Sequence, residues 1–155
     1  MPEGFPQIPG AIVGWSGAHP GAPMPRILVI DDQADVRAMI SIVLRVHHFE
    51  IVEAASGARG LKEFENSKFD LVIVDIFLQG MNGFDVITMM RERIPDLPIV
   101  AISGMTTLDY LSASPELSKV VCLQKPFRPH QLVGAIEAAY RLSRPAAAED
   151  IMSPR

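Results

Sequence analysis

The sequence predicts an α/β fold in which five parallel strands form one sheet with helices on both faces. Three observations carry that prediction. Short continuous apolar runs, such as Arg26–Ile30 (RILVI) and Leu71–Val74 (LVIV), alternate with stretches whose apolar residues recur every three to four positions. This alternation repeats five times between Arg26 and Ser143. The chain has 155 residues, 48% apolar and 21% charged, which is enough for one domain with a sizeable core.

Arg26–Ile30 is apolar almost throughout, as a strand covered on both faces must be. The first helix carries Val36, Met39, Ile40, Val43 and Leu44 on one stripe. Phe49–Glu53 reads as the second strand, and Ala58–Glu65 as a helix resting on Leu61 and Phe64. Leu71–Val74, bounded by acids on both sides, is the strongest strand. Gly83 is expected in a turn, after which Phe84, Ile87, Met90 and Ile94 mark a third helix that stops before Pro95. Leu97–Ile102 gives the fourth strand, a weakly patterned helix around Thr107–Ser112 ends at Pro115, and Val120–Leu123 is the fifth strand. The last helix opens at Pro129, where proline is tolerated, and aligns Leu132, Val133, Ile136 and Tyr140. Strands alternating with helices pair in parallel through right-handed crossovers. Five of them suit the flavodoxin-like, doubly wound order 2-1-3-4-5, with ligands at the carboxyl ends near the switch between strands 1 and 3.

The flanks differ in composition. Residues 1–25 hold six prolines and five glycines and are expected to be a flexible leader. They lack the charged start of a signal peptide, and Met24 is a candidate natural start. Residues 144–155 form a tail too short and polar to fold alone, which leaves 26–143 as the domain. Lysine and arginine number 14 against 18 acids, a net charge of −4, which disfavours a general nucleic-acid binder. No apolar run approaches the roughly 18 residues of a membrane span. The single cysteine, Cys122, excludes an internal disulfide and fits a reducing compartment. No partner role in nucleic-acid or membrane binding is therefore expected, and a cytoplasmic location is.

The carboxyl ends of the strands carry the chemistry. Asp31 and Asp32 follow strand 1, Asp75 follows strand 3, Ser103 ends strand 4, and Lys125 lies just past strand 5. Any one of these could be a helix cap or a solvated turn residue. Five at matching strand ends are poorly explained by chance. Three clustered carboxylates repel one another unless a cation sits among them, and hard oxygen donors with room for water suit Mg²⁺ better than zinc. A carboxylate beside Mg²⁺ can act as a nucleophile toward a phosphoryl donor. Asp75, central and alone, is the best candidate for that role, with Asp31 and Asp32 as a metal pair. Lys125 would neutralise charge on the transferring group, and Ser103 would bond a phosphoryl oxygen.

These residues sit in motifs that resemble the receiver domain of bacterial two-component response regulators, of the stand-alone, chemotaxis-regulator-like type. The matching stretches are ILVIDDQADVR, DLVIVDIFLQGMNG, VAISG and LQKPF, in that order and spanning nearly all of Arg26–Tyr140. The resemblance implies Asp75 as phosphoacceptor, Asp32 as a direct and Asp31 as a mainly water-mediated Mg²⁺ ligand, and the Phe77 backbone carbonyl as a further ligand. It implies Ser103 as the switch hydroxyl, Lys125 as the phosphate-sensing lysine, and a cis Lys125–Pro126 bond. The partner would be a histidine kinase or phosphotransfer protein. With no room for a DNA-binding domain, output would run through protein–protein contact from a monomer or weak homodimer. The only chemistry expected is self-catalysed phosphoryl acceptance and slow self-dephosphorylation, not that of an enzyme on a separate substrate.

Four positions, in three departures, differ from the family pattern. Cys122 stands three residues before the lysine, where an aromatic switch residue is usual, and is expected to be a small buried strand residue. Gln79 replaces a common proline, so the loop after Asp75 is expected to be more mobile. Phe77 and Met105 place apolar groups where water would approach, hence the slow dephosphorylation. The four histidines, His19, His47, His48 and His130, neither cluster as ligands nor sit in a phosphotransfer context. Two other readings stay open. A Mg²⁺-dependent phosphohydrolase of the haloacid-dehalogenase type would want a second aspartate where Phe77 stands. A phosphate-independent interaction module would have little use for all five pocket residues. An FMN binder is disfavoured by the lack of a phosphate-cradling loop after strand 1.

Overall fold

The computed structural model describes residues 24–104 and 118–143. The expected fourth helix around Thr107–Ser112, together with Met105, Tyr110, Trp15, His19, residues 1–23 of the leader and the tail, lies outside the described residues.

Five strands are present: β1 (Arg26–Ile30), β2 (Glu50–Ala54), β3 (Leu71–Asp75), β4 (Ile99–Ser103) and β5 (Val120–Gln124). Four helices are described: α1 (Ala34–Val46), α2 (Gly57–Asn66), α3 (Gly83–Arg93) and α4 (Pro129–Ser143). All strand pairs are parallel and the order is β2-β1-β3-β4-β5, as the sequence predicts. β1, β3 and β4 lie inside the sheet and are buried on both faces, which is why they appear in the sequence as unbroken apolar runs.

Alternation along each strand divides the core in two. Leu28, Ile30, Val72 and Val74 face one way and pack with Phe64, Val86, Ile87 and Met90 of α2 and α3. Ile27, Val29, Leu71 and Ile73 face the other way, onto Ile40 and Leu44 of α1 and Leu132 and Ile136 of α4. Ser56 caps α2 by accepting from Arg59 N–H at 3.1 Å, and Asn82 caps α3 by accepting from Phe84 N–H at 2.7 Å. α1 ends with His47 as its cap, and His48 turns the chain at φ 67°.

Four expectations are corrected. Gly83 is the first residue of α3, not part of a turn. A Cβ there would lie 2.3 Å from the Asp75 carbonyl oxygen and 2.6 Å from Ile76 Cα, so only glycine lets α3 start this close to the end of β3. Ile94 lies past the helix as its C-cap and is 43% exposed, so it does not belong to the apolar stripe. The fourth strand begins at Ile99, with Leu97 buried ahead of it. Cys122 is half-buried, because the face of β5 is less fully covered than those of the inner strands.

Candidate functional site

Strand register builds the site. Ile30 pairs with Val74, so Asp31 and Asp75 leave neighbouring strands at the same level. Asp75 in turn pairs with Ile102, and Ser103 with Gln124, so Ser103 and Lys125 reach the same rim. A parallel sheet thus converts four separate sequence positions into one cluster.

Asp31, Asp32 and Asp75 each bring a carboxylate oxygen within 4.8 Å of the others. Asp31 is fully buried and Asp75 is 4% exposed. Lys125 Nζ donates to Asp75 Oδ2 at 2.9 Å and to Gln33 Oε1 at 2.8 Å, and approaches Asp31 Oδ2 at 3.2 Å as an ion pair. Backbone amides hold the remaining oxygens. Gln33 N–H donates to Asp31 Oδ1 and Phe77 N–H to Asp75 Oδ1, both at 2.9 Å, while Gln79 N–H reaches Asp32 Oδ2 at 3.3 Å. The loop after Asp75 is therefore tied to the acidic pair at Gln79. The Lys125–Pro126 bond is cis, as the resemblance implies.

Electrostatics set the protonation states. Burial pushes the Asp31 carboxyl above the ordinary aspartate range, helped by nearby Asp75 and opposed by the Gln33 amide and Lys125. For Lys125, burial works against the charged form. The Asp75 hydrogen bond and the charges of Asp31 and Asp75 outweigh it and hold the ammonium above the usual lysine range. One cation thus faces three carboxylates.

Asp31 Oδ2 is the observation that tests the fit of a metal. It is buried and receives no hydrogen bond, because the lysine directs its donors elsewhere. Its charge is met by Lys125 at 3.2 Å, but that one ammonium is shared with Asp75 and Gln33, so a buried carboxylate oxygen is left under-satisfied and open to a further cation. Three carboxylates in reach of one point are the donor set of a hard divalent ion such as Mg²⁺. The residues fit the group.

The cluster opens into a cleft of about 570 Å³ lined by Asp32, Gln33, Asp75, Phe77, Gln79, Gly104 and Lys125. Phe77 is 54% exposed at its mouth. Ser103 is buried beside it, and its carbonyl accepts from Lys125 N–H at 2.8 Å; its neighbour Gly104, and not Ser103 itself, lines the opening. Sequence reasoning missed Gln33, which engages both Asp31 and Lys125. Its position directly after the aspartate pair was the available signal.

The family model of the response regulator receiver domain matches residues 27–137. The chain belongs to that family. Receiver domains are signalling modules of two-component systems that take phosphoryl groups from histidine kinases. Among curated relatives, the transcriptional regulatory protein PrrA of Mycobacterium tuberculosis is 32% identical over 121 residues, covering 78% of this chain and 52% of that one. The DNA-binding response regulator MtrA of Mycobacterium tuberculosis is 34% identical over 124 residues, covering 80% and 54%. The chain spans about half the length of the curated relatives it matches. Among solved structures, the chemotaxis protein CheY4 of Vibrio cholerae superimposes with a TM-score of 0.70 at 25% identity, covering 76% of this chain and 99% of that one. The response regulator TrrA of Thermotoga maritima, in complex with Mg²⁺-BeF, gives 0.66 at 28% identity, covering 75% and 99%. Among the described residues no helix is long and apolar enough to cross a membrane.

Proposed function

We propose that this receiver accepts a phosphoryl group on Asp75 from a histidine kinase or phosphotransfer protein, and that residues 26–143 are sufficient for it. The observation that carries the reading is the convergence of three carboxylates on one point, with Lys125 Nζ 2.9 Å from Asp75 Oδ2. Asp31, Asp32, Asp75 and the Phe77 carbonyl would hold Mg²⁺; that TrrA, a receiver of similar fold, is in complex with Mg²⁺-BeF supports a metal in this chain. When bound, the ion supplies the positive charge that lets an anionic carboxylate meet an anionic phosphoryl group. A carboxylate oxygen of Asp75 attacks phosphorus, the P–N bond of a phosphohistidine breaks, and its electron pair returns to the imidazole. Asp75 becomes an acyl phosphate. Lys125, kept charged by its carboxylate neighbours, neutralises the new phosphoryl oxygens, and the Ser103 hydroxyl bonds one of them. The exposed Phe77 side chain restricts the approach of water, so the acyl phosphate is long-lived.

Output runs through protein contact, by a phosphorylation-shifted equilibrium between two surface conformations, without direct DNA binding. The net charge of −4 supports that part of the reading. The test is intact mass after incubation with acetyl phosphate and Mg²⁺. The wild type gains one phosphoryl group and Asp75→Ala gains none. An equal gain in both contradicts the assignment, and sustained release of free phosphate favours a phosphohydrolase. Phosphorylation-dependent retardation of DNA by the same chain would overturn the protein-contact output.

A further inference from the structure

Arg37 closes the motif ILVIDDQADVR, yet the chemistry described above leaves it without a task. Its place is unusual on physical grounds. It is the fourth residue of α1, where a cation opposes the positive end of the helix dipole. Something has to offset that placement.

The geometry supplies it. Asp31 is fully buried and lies one residue beyond the last β1–β2 pair, Ile30 with Ala54. Its N–H still reaches Ala54 O at 3.1 Å, but its carbonyl lies past the ladder and needs another donor. Arg37 provides one: Nη1 donates to Asp31 O at 2.6 Å. The guanidinium is braced in turn, with Nε donating to Glu53 Oε1 at 3.3 Å, while the buried Ser41 hydroxyl donates to Glu53 Oε2 at 2.9 Å. Asp31 is thus gripped by β2 through its N–H and by α1 through its carbonyl. The side chain of Arg37 is only 17% exposed, so the contact is partly shielded from water.

We propose that Arg37, braced by Glu53 and Ser41, is a positioning residue that fixes the Asp31 backbone and thereby aims the Asp31 carboxylate into the acidic cluster. The inference rests on the reading of that cluster as a Mg²⁺ site. Because Glu53 balances the guanidinium charge, Arg37 acts through geometry more than through potential. Groups that orient metal ligands from outside the coordination sphere are worth about 10–100-fold in metal affinity.

The test uses the full chain with Arg37→Met, Arg37→Lys and Glu53→Ala, read in two ways. Calorimetric titration gives Mg²⁺ affinity, and amide exchange of Gln33, whose N–H bonds Asp31 Oδ1, is measured without metal. Arg37→Met should weaken Mg²⁺ about tenfold or more and speed Gln33 exchange, with Arg37→Lys restoring most of both. Glu53→Ala, which removes only the brace, should give a smaller loss in the same direction. Unchanged affinity and unchanged Gln33 exchange in Arg37→Met would overturn the proposal, even if the melting temperature fell. A wild type that binds no Mg²⁺ would defeat the metal reading instead, and the exchange measurement would still judge Arg37.

Discussion

The two ends of the sheet are built from similar charges and behave differently. At the amino end, Arg26 N–H donates to Asp70 Oδ2 at 2.7 Å, and the Arg26 guanidinium pairs with Glu50 at 2.9 Å across half-exposed side chains. Arg93 there stacks over the Phe64 ring at 5.9 Å from its centroid. That end holds the larger cleft, about 880 Å³ against 570 Å³. Its acids have basic neighbours in the open. At the carboxyl end three acids cluster, and the two buried ones, Asp31 and Asp75, share one lysine. Buried acids that outnumber their cation mark the functional end, and cleft volume does not.

Breaking that asymmetry should show its size. Asp31→Asn removes the most deeply buried charge, and Mg²⁺ binding should be lost in a calorimetric titration. In metal-free protein the same change should raise stability by about 1 kcal/mol, because an ionised group held without water is relieved; a destabilised metal-free variant would argue that the charge is already fully paired. Gly83→Ala should cost about 1–3 kcal/mol in denaturant unfolding and slow acetyl-phosphate labelling as well, since the added methyl presses on the Asp75 carbonyl.

The pH dependence follows from the raised Asp31 carboxyl. Its folded pKa lies above the ordinary aspartate value, so the folded metal-free chain holds that proton more tightly than the unfolded one. Between the two values, stability therefore falls as pH rises, and ionised Asp31 keeps a cost above them. Mg²⁺ binding should accordingly fail on acidification while an ordinary aspartate would still be ionised; affinity tracking an unshifted carboxylate would contradict this. Phe77→Asn, alone or with Met105→Glu, should shorten the lifetime of the phosphorylated state several-fold, measured by loss of phosphoryl mass. Glu50→Ala, at the amino end, should change stability by less than about 1 kcal/mol.

Much of this architecture was legible in the sequence because inner parallel strands are buried on both faces and leave continuous apolar runs. The site was legible for a related reason: all strands point the same way, so Asp31, Asp75, Ser103 and Lys125, each at a strand's end, had to meet at one rim. What escaped depends on distant partners. Gln33 accepts from a lysine 92 positions away, which no local pattern encodes. Gly83 is required by a backbone carbonyl on β3, and a lone glycine near a helix start reads as a turn. Ile94 continues the helical period on paper, but the chain leaves α3 one residue earlier, ahead of Pro95. Cys122 was expected in the interior, but the face of β5 is only half covered.

The most direct check is a calorimetric titration of Mg²⁺ into the wild type alongside Asp75→Asn and Glu50→Ala. The excess acid at the carboxyl rim should take up one ion per chain, with affinity reduced in Asp75→Asn and unaltered in Glu50→Ala. A flat wild-type titration, or an equal loss in both variants, would mean that the buried carboxylates are not held for a cation.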